Sequence, residues 1–233
     1  MNEEGTLDFN FWPSFADLML AVVLVLVLVL FLTTAVITVG KIDLSGVEKN
    51  QQDMVKAIAV EYRSEPKKLD DTGHKWGISS DKSDKYDIEI QNDLNQQRIT
   101  FGDKVLFEQD HVEITDNGRK VLTAVGQNVK HQLGFLREIQ IRGHADTKPT
   151  GRFRDNVQLA AERAMTVFEF FRSNVGIDPT RVLISATSFG EYDPALRSDT
   201  EVSYTWERLR QDNSSEELRS KNRRIELVLV YRR

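Results

Sequence analysis

The pattern of apolar and polar positions divides this chain unequally. From Leu18 to Gly40 no side chain is ionisable, whereas from Lys41 onward apolar residues come singly or in short periodic sets. Roughly 20 helical residues cross a hydrocarbon core about 30 Å thick, so residues 18–40 are predicted to form one transmembrane helix, with length left for tilt. A cleavable signal sequence would carry a basic start and a shorter apolar core. Residues 1–17 contain no Lys or Arg, so an uncleaved span is expected. The first basic residue is Lys41, and with no basic residue ahead of the span the positive-inside rule barely speaks to orientation.

Beyond the span, residues 41–63 read as a helix with a thin apolar stripe of Val47, Met54, Val55, Ile58 and Ala59. Residues 64–85, rich in Pro, Gly, Ser, Asp and Lys, read as a loop or linker. Regular patterning resumes at Tyr86. Two alternating stretches around Ile88–Ile90 and Ile99–Phe101 predict paired strands. Val121, Leu122, Val125, Val129 and Leu133 follow a Thr/Asp cap at helical spacing. REIQIRGHAD predicts a strand and DNVQLAAERAMTVFEFFRSN a second amphipathic helix, burying Leu159, Ala160, Ala164, Val167, Phe168 and Phe171. RVLISATSFGE and the terminal RRIELVLVYRR complete the strands, and the polar block 195–221 between them has only Trp206, Leu209 and Leu218 as apolar anchors. Strands alternating with helices predict an α/β (α+β) sandwich with helices on one face of a small sheet.

Composition narrows the chemistry. The net charge of −5 gives no reason to expect nucleic acid. Without cysteine there is no disulfide, thiolate metal site or thiol nucleophile. No paired general acid and base stands out, so no enzyme is predicted.

The unusual residue is Asp17, just inside the edge of the apolar run. An Asp at the centre of a span costs about 2.5–3.5 kcal/mol and less near an end. One reading makes it an interfacial residue in a first helical turn, favoured by the helix dipole, with Pro13 tolerated there and Phe11 and Trp12 forming an aromatic belt. The other makes it an ion carrier. Its position alone leaves both open.

Four blocks in order carry a resemblance: Gly143-His144-Ala145-Asp146, then Asn156 with Leu159, Ala160, Arg163 and Ala164, then Gly190-Glu191 with Pro194, then Asn222-Arg223-Arg224-Ile225-Glu226. Together they resemble the OmpA-like peptidoglycan-binding domain, which the resemblance extends over residues 86–233. Peptidoglycan stems carry a diamino acid with an ammonium and a free carboxylate. The resemblance implies that Asp146 pairs with the ammonium and Arg163 takes the carboxylate by a two-pronged hydrogen bond. Asn156, two turns before Arg163 on the same helix face, and Leu159 complete the implied site. Read singly, Asp146 and Arg163 would make a structural ion pair. His144 is expected to be structural rather than a metal ligand. The loop between Asp146 and Asn156, with Lys148, Arg152 and Arg154, and the block 195–221 are longer than that family's usual connections.

A periplasmic domain of this kind would leave the N-terminus cytoplasmic. In that context Phe11-Trp12-Pro13-Ser14-Phe15-Ala16-Asp17-Leu18-Met19 resembles the start of the span in MotB-like B subunits of ion-driven stators, where the aspartate binds the ion. The resemblance implies a single-pass inner-membrane protein with a cytoplasmic tail and ion-site start (1–17), a span (18–40), a plug or linker (41–85) and the peptidoglycan-binding domain. It also implies a homodimer inside five copies of a MotA-like or ZorA-like subunit, with no cofactor beyond the translocated ion. That ion is expected to be the proton, with sodium as the alternative; Thr33 and Thr34 are expected to bond back to the helix backbone. The acidic tail (Glu3, Glu4, Asp8), the compact linker and the Trp-Pro before the Asp look most like the ZorB type of the Zorya anti-phage defence system. A flagellar stator subunit and a passive envelope tether are the alternatives.

Overall fold

In the computed structural model, residues 12–79, 86–197 and 203–232 are described. The apolar run lies in helix α1 (Trp12–Tyr62), and within it the chain divides into two units, at Ser45/Gly46. In the first unit, Trp12–Thr38 is long and apolar enough to cross a membrane, and none of it is buried in the protein. Its 27 residues span about 40 Å. The Thr33 and Thr34 hydroxyls both donate to the Leu30 carbonyl oxygen, at 2.9 and 2.7 Å, so they return to the helix as expected. The first turn of α1 contains no acidic residue. Asp17 lies in the second turn of the described helix. Phe11 lies outside the described residues; Trp12 meets Phe15 edge to face, 6.1 Å between centroids.

Among the described residues, the second unit is built on seven strands: β1 (Lys67–Lys68), β2 (Lys75–Ile78), β3 (Ile88–Asn92), β4 (Gln96–Phe101), β5 (Leu136–His144), β6 (Leu183–Gly190) and β7 (Arg224–Tyr231). They form one mixed sheet in the order β1-β2-β3-β4-β7-β5-β6, in which only β5 and β6 run parallel. The short helix α2 (Asp103–Leu106) and α3 (Asp116–His131) follow β4, α4 (Asn156–Phe170) links β5 to β6, and α5 (Trp206–Gln211) and α6 (Glu216–Asn222) lie between β6 and β7. Alternate residues of the strands supply the core: Ile88 and Ile90, Ile99 and Phe101, Ile139 and Ile141, and Ile225, Leu227, Leu229 and Tyr231. Val121, Leu122, Val125 and Val129 of α3 and Ala164 and Val167 of α4 pack against them. β7, an interior strand between β4 and β5, is buried along its whole length.

Two boundaries differ from the expected ones. Residues 64–85 were expected to be linker, but β1 and β2 extend the sheet, with Trp76 opposite Ile90 and Ile78 opposite Ile88. Four residues amid Lys, Asp and Gly are too short a run for alternation to show, yet Ile78 is fully buried. The stripe expected to serve as a plug is also part of the core, because Met54, Val55, Ile58 and Ala59 are all buried there. Gln51 fixes that helix by donating to the carbonyl oxygens of Asp93 and Gln96, at 2.8 and 3.1 Å. Gln97 and Gln132 donate back to the Gln51 and Asn50 carbonyls, at 2.9 and 3.0 Å. The folded domain therefore begins at Gly46, not at residue 86.

Candidate functional site

The end of β5 and the start of α4 are locked together by backbone proximity. A Cβ at Gly143 would lie 2.1 Å from the Ala160 carbonyl oxygen of α4, so only glycine lets strand and helix approach this closely. Ser188 donates to the Val157 carbonyl at 2.7 Å, and Ala145 N–H donates to the Gly190 carbonyl at 2.8 Å. Asp155 caps α4 by accepting the Gln158 N–H at 2.8 Å. That hydrogen bond, followed by the Arg154 guanidinium, holds the Asp155 carboxyl below the usual carboxylate range.

This packing gathers the residues singled out in the sequence. Asp146, Asn156, Leu159 and Arg163 are all buried. Asn156 Nδ2 donates to the Asp146 carbonyl oxygen at 2.9 Å, fixing the loop after β5. The Asp146 carboxylate accepts Lys148 N–H through Oδ1 at 2.8 Å and Arg223 Nη1 through Oδ2 at 2.5 Å. Arg163 donates from Nε to the His111 carbonyl at 2.8 Å and from Nη2 to the Glu108 carbonyl at 2.9 Å, with its guanidinium over the Phe107 ring. Asp146 thus takes its guanidinium from Arg223, while Arg163 is oriented by the loop ahead of α3. Arg163, Arg223 and Arg224 line one small cleft with Phe101, Leu106 and Phe107. Such a cleft presents cations beside an apolar wall, with a carboxylate at Arg223, and its chemistry suits a ligand carrying both signs of charge.

The longer loop after Asp146 is tied down at both ends. Asp110, in the left-handed region at φ 60°, accepts the Thr150 hydroxyl at 2.6 Å and Gly151 N–H at 2.9 Å. The Thr150 hydrogen bond above all lowers the Asp110 carboxyl below its ordinary value. Lys148 reaches Glu216 of α6 at 2.7 Å, and Thr147 N–H donates to Asn213 Oδ1 at 3.3 Å. Asn213 and Glu216 of the block after β6 are therefore neighbours of the Asp146 loop. Arg223 stood in a recognised sequence block but carried no assigned role, and Glu216 was missed. No local spacing could reveal either contact, since Asp146 and Arg223 are 77 positions apart.

His144 is 1% exposed and stacks on Phe189 with centroids 5.0 Å apart. Its Nδ1 lies 3.3 Å from the Asp193 carbonyl oxygen, and its Nε2 lies 3.7 Å from Glu226, an ion-pair distance too long for a hydrogen bond. Arg224 Nε donates to Glu226 at 2.8 Å. Burial opposes ionisation of Glu226, but His144 and Arg224 more than offset it and hold the carboxyl well below its usual range. Among the described residues no group of three His, Asp or Glu side chains converges as a metal site.

Residues 106–208 match the OmpA family. The chain is 26% identical over 156 residues to Motility protein B of Bacillus subtilis (strain 168), covering 65% of this chain and 52% of that protein. It is 25% identical over 138 residues to the uncharacterised protein YtxE of the same organism, covering 56% of this chain and 47% of that protein. The chain thus spans about half the length of the curated relatives it matches. Among solved structures, a MotB-like protein from Desulfovibrio vulgaris superposes with a TM-score of 0.60 at 22% identity, covering 83% of this chain and 99% of that one. The periplasmic domain of Helicobacter pylori MotB superposes with a TM-score of 0.52 at 18% identity, covering 69% and 89%. At such identities the likeness is one of fold. The protein is an N-terminal apolar helix followed by a mixed α/β OmpA-like domain with the fold of the MotB periplasmic domains.

Proposed function

We propose that this chain is the peptidoglycan-anchored B subunit of an ion-driven rotary motor in the bacterial inner membrane, of the ZorB type that serves anti-phage defence. The observation that carries this reading is the pairing of one carboxylate, Asp17, in the second turn of a membrane-length helix with an OmpA-like domain on the same chain. The helix crosses the inner membrane once, with its N-terminus in the cytoplasm and the domain in the periplasm. Two copies sit within five copies of a MotA-like subunit. Protonation of Asp17 neutralises the one charge in the apolar stretch, and release toward the cytoplasm restores it, so that each cycle biases the surrounding ring to step. One charge crossing 100 mV supplies about 2.3 kcal/mol. Sodium is the alternative ion.

The domain holds the pair of chains still. Asp146 receives the ammonium of the stem diamino acid and Arg163 its carboxylate, Asn156 fixes the Asp146 loop, and Leu159 gives the site an apolar floor. The defence assignment is supported by the acidic tail, and by a folded domain that begins only eight residues after the candidate span ends at Thr38. The likeness to Motility protein B favours a second reading, a flagellar stator subunit.

The test is phage plating on cells carrying the native locus, with Asp17 or Asp17→Asn at equal protein level. Ion-driven defence requires protection by the intact locus and none with the asparagine. Protection that survives the substitution removes the ion-carrying role and leaves a tether. If neither locus protects while swimming depends on Asp17, the motor is flagellar.

A further inference from the structure

We infer that Glu216, on helix α6, is a positioning residue of the stem-peptide site, the acceptor onto which Arg223 passes when an ammonium group takes Asp146. The inference rests on the peptidoglycan reading of Asp146 given above. Asp146 is 4% exposed and both of its carboxylate oxygens are engaged, Oδ1 by Lys148 N–H and Oδ2 by Arg223 Nη1. An incoming ammonium therefore meets a guanidinium already seated on the oxygen it needs, and the two like charges repel. Binding requires a second anion that keeps Arg223 satisfied as it yields Asp146. Glu216 supplies that anion, because Arg223 Nη2 already donates to Glu216 Oε1 at 2.8 Å.

Glu216 is held in place rather than waving from the surface. Its Oε2 accepts Lys148 Nζ at 2.7 Å and Arg219 Nε and Nη2 at 3.2 and 3.1 Å. Arg219 is anchored in turn by donating to the Asn213 carbonyl at 2.8 Å. The hydrogen bonds from Lys148, Arg223 and Arg219 bring the Glu216 carboxyl down to about 2, so it is ionised throughout the neutral range. The helix that carries it is fixed from beneath. Ser215 caps it by accepting Leu218 N–H, and buried Asn222 donates to the Asp212 carbonyl and accepts Ala195 N–H. Lys148 joins the two acids through one residue, its N–H on Asp146 and its ammonium on Glu216. Without Glu216, Arg223 and the Lys148 ammonium would lose the carboxylate they share beside Asp146, a poor setting for a further positive charge.

Discrimination of the ligand's ammonium tests this directly. Full-length protein in detergent micelles is titrated calorimetrically with a synthetic stem peptide ending in diaminopimelate, and with the same peptide N-acetylated on the side-chain amine. Wild type should prefer the free amine. Glu216→Gln should cut that preference about tenfold, the scale of one charge-assisted hydrogen bond, with its melting temperature unchanged. The loss should vanish in an Arg223→Gln background, which a merely structural role for Glu216 would not produce. An unchanged preference in Glu216→Gln overturns the inference, as does an equal loss with or without Arg223. If wild type binds neither peptide, the peptidoglycan reading itself falls and the relay with it. A binding wild type with an indifferent Glu216→Gln sinks the relay alone.

Discussion

Asp17 stands exposed on a helix that carries no other ionisable group as far as Thr38, and no described side chain pairs with it. Glu226, in the middle of the sheet, is 4% exposed and has Arg224, His144 and Arg98 around it. Of the two acids, Glu226 has the partners that make such a charge tolerable within a fold. A carboxylate closed in by fixed cations is architecture. One placed in a membrane-length helix is, in the proposed function, the group that takes up and releases an ion. Asp146 lies between the two cases, buried and paired, but with a partner it shares with Glu216.

The contrast can be broken at Glu226. Removing one member of a buried ion pair leaves the others uncompensated and costs about 3–5 kcal/mol. Glu226→Ala should therefore lower the domain's melting temperature steeply, whereas Asp17→Asn should leave it where it was. The pH dependence has a definite sign. The folded Glu226 carboxyl lies below its ordinary value of 4.5, so its contribution is complete above that pH and drains away as pH falls beneath it. Chemical denaturation between pH 6 and about 3 should show wild type losing stability faster than Glu226→Gln. Parallel curves would mean that Glu226 carries no such contribution. Met54 sharpens where one region ends and the other begins. It is fully buried in the core although it lies on the same helix as the apolar stretch. Met54→Ala should destabilise the domain by about 2–5 kcal/mol, and Leu28→Ala should not change its melting at all. Equal, small effects would place residues 46–62 outside the domain.

Periodicity marked α3, α4 and strands β3 to β7, because each carries its own apolar face within a few residues. What it could not mark depends on distant chain. The stripe at Val47–Ala59 suits a membrane surface as well as a core, and only the later hairpin that receives Gln51 decides between them. Trp76 and Ile78 become strand residues because Ile88 and Ile90 pair with them. At the end of α4 the expected face was nearly complete: Phe171 is buried as expected, Phe168 packs on the core only half-buried, and Phe170 is buried as well. The candidate site was legible as four sequence blocks, since glycine at a close approach, a cap and a helix face leave local traces. The partners of its charges were not, because Arg223 on Asp146 and the Glu108 and His111 carbonyls on Arg163 are contacts across more than 50 positions.

The smallest expected effect separates stability from site geometry. Asp155 and Thr115 do the same work at two helices, each accepting an N–H three residues on, at 2.8 Å from Gln158 and 3.0 Å from Gly118. Replacing either by alanine should cost about 1 kcal/mol, a modest and equal drop in melting temperature. The consequences should differ beyond that. Asp155 sets the first turn of α4, from which Asn156, Leu159 and Arg163 project, while Thr115 sets a helix whose buried face serves the core. Co-sedimentation with purified cell-wall sacculi should therefore weaken with Asp155→Ala and stay at the wild-type level with Thr115→Ala. Equal binding by both variants would mean that the α4 cap adds stability only, and that the strand–helix contact at Gly143 suffices to place Arg163.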